Sequence, residues 1–356
     1  MKRLKMAVIG VGALGRHHAR ILAGLDAVEL VAVVDSDARR AQSIADQHGV
    51  DWQTDHRSVL DRVDAVSIVV PTCAHLAVAS EFLARRIPTL VEKPLACDAH
   101  QAEKLVALAE RTGTLLQVGH VERFNPASQV MRQSCGTPRY IRAERLSPYT
   151  FRSTDIGVVH DMMVHDLDLI LDLVGCDARH VDALGVSAMG EHEDAVQARI
   201  VFENGCVADL TASRINPTVR RTFQVWSFDG CLHADLQTRQ VTQFAPSATL
   251  RFGPSPLTLA RAGADLQQLK QDVFGRFIEM KELAVPEQDA LTAELLSFID
   301  CVRAGQQPLV GGPEALRALR LADRIVECVA SHRWDSDGRF VGPFISMSPR
   351  EEKRAA

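Results

Sequence analysis

The chain is poor in aromatic side chains, which make up 5% of its 356 residues. It has no basic run with interleaved aromatics, so the usual signature of a nucleic-acid-binding surface is missing. No apolar stretch approaches the roughly 18 to 20 residues that a bilayer-spanning helix needs, so no membrane association is expected. The first strand-like run starts at Met6 and leaves no room for a secretory leader; a cytoplasmic location is the expectation. The 8 cysteines are scattered without a Cys-x-x-Cys pair, which excludes a disulfide framework and a zinc knuckle and points to reduced thiols. Excess charge of one sign is also lacking: 40 Lys and Arg stand against 45 Asp and Glu, interspersed, for a net −5. With 46% hydrophobic and 24% charged residues the composition is that of a globular protein, and the length calls for two domains.

What is present begins near the N-terminus. The apolar run to Val8-Ile9 breaks into Gly10-Val11-Gly12-Ala13-Leu14-Gly15, a helical pattern follows from Arg16 to Gly24, and a second apolar run, Glu29 to Val34, ends in Asp35. This is the dinucleotide-binding fingerprint. Gly10 makes the tight turn, Gly12 lets backbone N–H groups approach a pyrophosphate, and Gly15 lets helix and strand pack closely. The anion then rests on the helix N-terminus, with Ala13 and Leu14 in the same turn. Asp35 is suited to accept from ribose hydroxyls and to repel a 2′-phosphate, so NAD(H) is expected in preference to NADP(H), with Arg39 and Arg40 close enough to soften the discrimination.

Up to about Gly119, β-branched runs alternate with helical stretches, as in a doubly wound parallel sheet. After Pro126 the pattern changes to a strand near 139–146, a helix over 158–174, and alternating strands whose hairpin turns fall at Asn204-Gly205 and Asp229-Gly230. The expected fold class is therefore an α/β doubly wound (Rossmann) parallel sheet over 1–122, plus a C-terminal α+β domain with an open, mostly antiparallel sheet over 123–356. Residues 246–288 read as an irregular or partly helical excursion, and two helices near 289–304 and 313–332 close the chain.

Chemistry-bearing residues fall at the ends of the first-domain strands. Pro71-Thr72 and Glu92-Lys93-Pro94 follow successive strands, at the carboxyl edge where such sheets bind ligands. Lys93 brings a cationic amine to that edge, and Pro94 allows a cis peptide bond. In the second domain, Asp161 and His165 stand four apart at the start of the 158–174 helix and share one face, a carboxylate–imidazole pairing suited to general base work. A metal site would find only two ligands in that spacing and is not expected. His160, Asp166 and Asp168 are expected to be structural.

Taken together, Gly-x-Gly-x-x-Gly, Pro71-Thr72-x-x-His75, Glu92-Lys93-Pro94, Gly119 through Arg123-Phe124-Asn125-Pro126, and Asp161-x-x-x-His165 resemble the glucose-fructose oxidoreductase / inositol dehydrogenase / rhizopine catabolism (Gfo/Idh/MocA) family over almost the whole chain. The resemblance implies an NAD-dependent oxidoreductase that turns a secondary sugar hydroxyl into a ketone, and a homodimer or homotetramer formed through the C-terminal sheet. It assigns Lys93, Asp161 and His165 to catalysis at the hydroxyl. The cofactor falls to the Gly10–Gly15 turn with Asp35, Pro71, Thr72, His75, Glu92 and Lys93. Arg123, Asn125 and Arg152 join the catalytic residues as substrate contacts. Residues 119–126 and 155–165 are most similar to members that oxidise C3 of UDP-N-acetylglucosamine-type sugars, although Ser153-Thr-Asp-Ile-Gly-Val-Val stands where a glycine-rich approach is usual. Two readings compete: a free-sugar or myo-inositol 2-dehydrogenase, and an NAD(H)-binding sensor without turnover. Six arginines, at 123, 145, 152, 214, 220 and 221, are candidate diphosphate contacts, of which one or two are expected to serve.

Overall fold

The computed structural model describes residues 2–151 and 156–332, together with the backbone of 340–342 and 345–346. Two compact units emerge, Met1–Phe124 with Gln288–Asp323, and Asn125–Glu287 with the residues from Arg324 onward.

The first unit contains, in chain order, β1 (Leu4–Ile9), α1 (Gly15–Gly24), β2 (Val28–Val34), α2 (Ala38–His48), β3 (Asp51–Gln53), β4 (Ala65–Ile68), α3 (His75–Ala84), β5 (Thr89–Glu92), α4 (Ala99–Thr112) and β6 (Leu116–Gly119). These strands form one sheet in the order β3-β2-β1-β4-β5-β6, every pair parallel. Strands β4, β5 and β6 are buried at every residue, as strands covered on both faces must be. Alternation along β1 feeds two cores: Met6 and Val8 pack into one, Ala7 and Ile9 into the other. Strand order reverses between β1 and β4, the position at which doubly wound sheets open a ligand crevice. Helix ends follow local chemistry. Asp37 caps α2 by accepting from the Arg39 and Arg40 N–H groups, and Asp98 caps α4 through Gln101 N–H.

The second unit contains α5 (Pro126–Ser134), β7 (Tyr140–Leu146), α6 (Val164–Val174), β8 (Ala178–Val186), β9 (Ala195–Phe202), β10 (Val207–Ser213), β11 (Arg220–Ser227), β12 (Gly230–Asp235) and β13 (Gln240–Pro246). Short helices α7 (Ala248–Phe252), α8 (Pro256–Arg261) and α9 (Leu266–Gln271) lead to β14 (Ile278–Leu283). Its sheet runs β14-β13-β12-β11-β7-β10-β9-β8, antiparallel throughout except for the β7–β10 pair. Alternate residues such as Ile141, Ala143, Phe223 and Val225 turn inward, where α5 and α6 pack on the sheet. Arg142, Glu144, Thr222, Gln224 and His233 stand together as a polar group on β7, β11 and β12. Both expected hairpin turns are present, at Asn204-Gly205 between β9 and β10 and at Asp229-Gly230 between β11 and β12. The 246–288 excursion resolves into three helices and an edge strand.

The chain then returns to the first unit with α10 (Ala290–Ala304) and with α11 (Gly312–Ser331) as far as Asp323. Sequence reading assigned everything beyond 122 to the second domain, whereas residues 288–323 pack with the first. The physical reason is core burial: Leu295, Phe298 and Ile299 join Met6, Val8 and Leu90 in one cluster, and Val310, Ala315, Leu316 and Leu319 join the other. Val118 N–H also donates to Val310 O at 3.0 Å. Phe298 is 0% exposed. Replacing it with Ala should therefore destabilise the first unit by about 3–5 kcal/mol, read as a lower denaturant midpoint for that unit's unfolding transition.

Candidate active site

The glycine-rich turn of the first unit is built for a close-packed neighbour and an open front. A Cβ on Gly15 would stand 1.9 Å from Gly10 O, so only glycine lets α1 start there. A Cβ on Gly12 would meet nothing within 4 Å, and Ala13 and Leu14 are exposed beside it. No side chain caps the start of α1, which leaves its first-turn N–H groups and dipole to an anion. The residues present therefore fit a dinucleotide pyrophosphate. Asp35 follows β2 and is largely buried. Its Oδ2 accepts from Val11 N–H at 3.0 Å, its Oδ1 accepts from Asp37 N–H at 2.9 Å, and Arg40 Nη1 lies 3.2 Å from both oxygens. The carboxylate is thus aimed by the turn it serves, with a half-exposed guanidinium at hand.

The neighbouring strand ends are joined by buried polar groups. Pro71 leads into a 3-10 turn at Thr72–Ala74, and His75 opens α3. His75 is 1% exposed, with Nδ1 2.9 Å from Pro94 O and Nε2 3.0 Å from Val70 O. The ring lies between two turns of the edge, and burial holds its pKa below the usual histidine value. The Lys93–Pro94 peptide is cis. Lys93 is partly buried, and its N–H donates to Glu92 Oε2 at 3.2 Å. Glu92 Oε1 lies 3.1 Å from His18 Nε2, and His18 Nδ1 lies 2.9 Å from Ser67 Oγ. Gly119 leaves room for the Glu92 carboxyl, because a Cβ would stand 2.9 Å from it. Next to it His120 is buried; burial first, then the Lys93 charge, push its pKa down to about 3, so it is a neutral imidazole at neutral pH.

In the second unit the expected 158–174 helix departs from regularity around Asp161 and His165. Val159–Met163 form a π-helical turn, with Val164 N–H donating to Val159 O, and α6 continues from Val164. Such turns cluster at functional sites, since the extra residue per turn re-aims side chains. Asp161 lies in the π turn and His165 in the first turn of α6, both partly buried. Glu193 secures the start of this element: its Oε1 accepts from Val159 N–H at 3.2 Å and its main-chain O from Val158 N–H at 2.9 Å. Gly157 makes room for it, because a Cβ there would overlap the Glu193 carboxyl. Arg214 adds a second hold, donating to Asp194 Oδ1 at 2.7 Å and to Ile156 O at 2.8 Å.

Other candidates take structural places. Arg145 donates through Nε and Nη2 to Asp166 Oδ1 at 2.9 and 2.7 Å, a buried pair tying β7 to α6. Asp166 and Asp168 are buried, in line with structural roles. Arg220 pairs with Glu144 at 2.8 Å. Asn125 caps α5, accepting from Ala127 N–H and donating to Leu236 O, which engages both ends of its amide within the second unit. Arg123 is buried in the 3-10 turn Val121–Phe124. Arg152 lies outside the described residues. Among the described residues no three His, Cys, Asp or Glu side chains gather to hold a metal ion, and no helix is long and apolar enough to cross a membrane. Sequence reasoning missed His18, Glu193 and Glu294. A polar residue at the buried 15–18–19–22 spacing of α1, and a glutamate inside the apolar stripe of α10, are the signals that would have found two of them.

Residues 4–120 match the family described as "Oxidoreductase family, NAD-binding Rossmann fold", and residues 128–233 match the GFO/IDH/MocA C-terminal domain. The chain is 34% identical, over 90% of its length and 96% of the relative's, to UDP-N-acetylglucosamine 3-dehydrogenase of Acidithiobacillus ferrooxidans. The solved structure of that organism's enzyme superposes with a TM-score of 0.81 at 33% identity, covering 92% of this chain and 98% of the other. It is 28% identical to scyllo-inositol 2-dehydrogenase (NAD(+)) of Bacillus subtilis, over 86% of this chain and 89% of that one. With the glycine cradle, the aimed Asp35 and both family domains in place, the chain belongs to the GFO/IDH/MocA family of NAD-binding oxidoreductases.

Proposed function

We propose that this oxidoreductase oxidises the C3 hydroxyl of a UDP-N-acetylglucosamine-type sugar to a ketone, with NAD as the hydride acceptor. The observation that carries the reading is the full-length likeness to the Acidithiobacillus 3-dehydrogenase, at 34% identity against 28% for the inositol enzyme. In this reading the bound nicotinamide supplies the hydride acceptor, and the protein's own residues manage the proton and the charge. His165 takes the hydroxyl proton, Asp161 orients the imidazole, and the Lys93 ammonium stabilises the oxygen as negative charge develops on it. Glu92 sets the backbone at Lys93 through the bond from its N–H. Of the six candidate arginines, Arg145, Arg214 and Arg220 are committed to Asp166, Asp194 and Glu144. Arg123 and Arg152 are the arginines that this reading carries to the substrate. The same reading includes a homodimer or homotetramer built on the second sheet and a cytoplasmic location.

The inositol relative supports a second reading, oxidation of an unphosphorylated polyol. Rates of NADH formation separate the two when UDP-N-acetylglucosamine is compared with scyllo- and myo-inositol, glucose and free N-acetylglucosamine, with a ketone trap present. The highest kcat/KM is expected for the nucleotide sugar; equal or better efficiency on a polyol would overturn the first reading, and silence across the panel would favour a non-catalytic sensor.

Lys93→Ala and His165→Ala should each lower kcat by about a hundred- to ten-thousandfold while NADH affinity, measured by fluorescence titration, stays within a few-fold. A folded His165→Ala variant with wild-type turnover would remove His165 from the mechanism. Cofactor choice should depend on Asp35 and Arg40 in opposite senses. Asp35→Ala should narrow the ratio of NAD to NADP efficiency, whereas Arg40→Ala, which removes the nearby guanidinium, should widen it; kcat/KM with both cofactors measures this.

A further inference from the structure

One buried carboxyl of the first unit has no part in the chemistry above. Glu294 lies on α10 between Ala293 and Leu295, is 0% exposed, and neither of its carboxyl oxygens has a hydrogen-bond partner among the described residues. Its main-chain carbonyl accepts from Gln117 Nε2 at 3.2 Å, which anchors the helix at this residue while leaving the carboxyl unserved. Gln117 Oε1, also buried, is a further acceptor without a donor. The charge nearest in effect is that of Glu92.

An ionised Glu294 would be an unpaired anion in the core within the field of a second carboxylate, an unfavourable arrangement that resolves when one partner keeps its proton. The surroundings decide which. Glu92 accepts from the Lys93 N–H at 3.2 Å and lies 3.1 Å from His18 Nε2, whereas neither carboxyl oxygen of Glu294 has a hydrogen-bond partner among the described residues. Other titratable groups on the elements around the pair are His18 on α1, Lys93 after β5, His120 after β6, and Glu122 and Arg123 on the Val121–Phe124 turn that packs on α10. Burial, and then the Glu92 charge, raise the Glu294 pKa well above the ordinary carboxylate range.

We propose that Glu294 is a positioning residue, a neutral carboxylic acid in the core that sets no second anion against Glu92 and so leaves that carboxyl in place beside His18 and the Lys93 backbone. Because the folded-state pKa of Glu294 is raised above its unfolded value, the stability it contributes is complete at low pH and is lost as pH rises through the folded value. Ionisation then sets two anions against each other under the strand end that carries Lys93.

The test uses the full-length protein and the isosteric Glu294→Gln variant, which mimics the neutral acid. Infrared spectroscopy at neutral pH should show a protonated-carboxyl stretch in the wild type that is missing from Glu294→Gln. The thermal midpoint of the wild type should fall as the solution is made alkaline, and this fall should be smaller in the variant. The alkaline limb of kcat should move to higher pH in the variant. Only the kinetic arm rests on the reading of Lys93 as a reacting group, so a failed substrate assignment leaves the infrared and thermal arms intact. No band at neutral pH, or identical bands and pH profiles in both proteins, overturns the proposal. Should Glu294→Gln fail to fold, the wild type decides: a band that disappears in step with the thermal midpoint supports the proposal, and absence of the band defeats it.

Discussion

The contact on which the first unit's chemistry depends is the approach of His18 to Glu92 across the sheet. His18 belongs to the helix that receives the pyrophosphate, Glu92 ends the strand that delivers Lys93, and Ser67 on the strand between them fixes the imidazole's other nitrogen. A buried imidazole with a hydroxyl bonded at one nitrogen and a carboxylate 3.1 Å from the other brings the two strand ends and the helix together. Gly119 completes the arrangement by lacking the atom that would displace the carboxyl. Glycine conservation of space and polar satisfaction act on the same side chain.

The second unit solves the corresponding problem differently. Its candidate residues Asp161 and His165 sit on a helix start that is locally overwide, and a helix start leaves N–H groups to be satisfied. Glu193 from the loop before β9 supplies acceptors, and Arg214, held by Asp194, ties the preceding carbonyl. Arg145 and Asp166 then pin the helix to β7 from its buried side. Breaking such a buried pair at one end typically costs about 3–5 kcal/mol, because the remaining charge is left alone. Arginines that look like phosphate ligands in the sequence therefore serve as internal struts.

The Gly10–Gly15 turn, Asp35, the Glu92-Lys93-Pro94 edge and the two hairpins were legible because local physics dictates them: glycine geometry, strand burial and turn chemistry act within a few residues. What escaped depends on partners distant in sequence. Glu193 and Gly157 explain one another only when folded together, and the π turn follows no residue pattern that a helical period would reveal. β14 reads as Ile-Glu-Met-Lys-Glu-Leu, whose exposed charges suit an edge strand guarded against further pairing and whose alternation breaks after four residues. Glu294 was signalled only by its place within the apolar stripe of α10, since a glutamate in a helix is ordinarily a solvated residue.

The return of residues 288–323 to the first unit sets an order of events during synthesis. The nucleotide-binding sheet emerges first from the ribosome, yet Phe298 and its neighbours, which finish one of its cores, follow the whole second unit in the chain. Domains usually fold as they appear, N-terminal first, but here the N-terminal one must wait with apolar surface uncovered while more than a hundred residues are translated. The long loop so closed raises the entropic cost of the last contacts and slows their formation. Nascent chains of this protein consequently present their cofactor-binding half to chaperones for longer than a contiguous nucleotide-binding domain would.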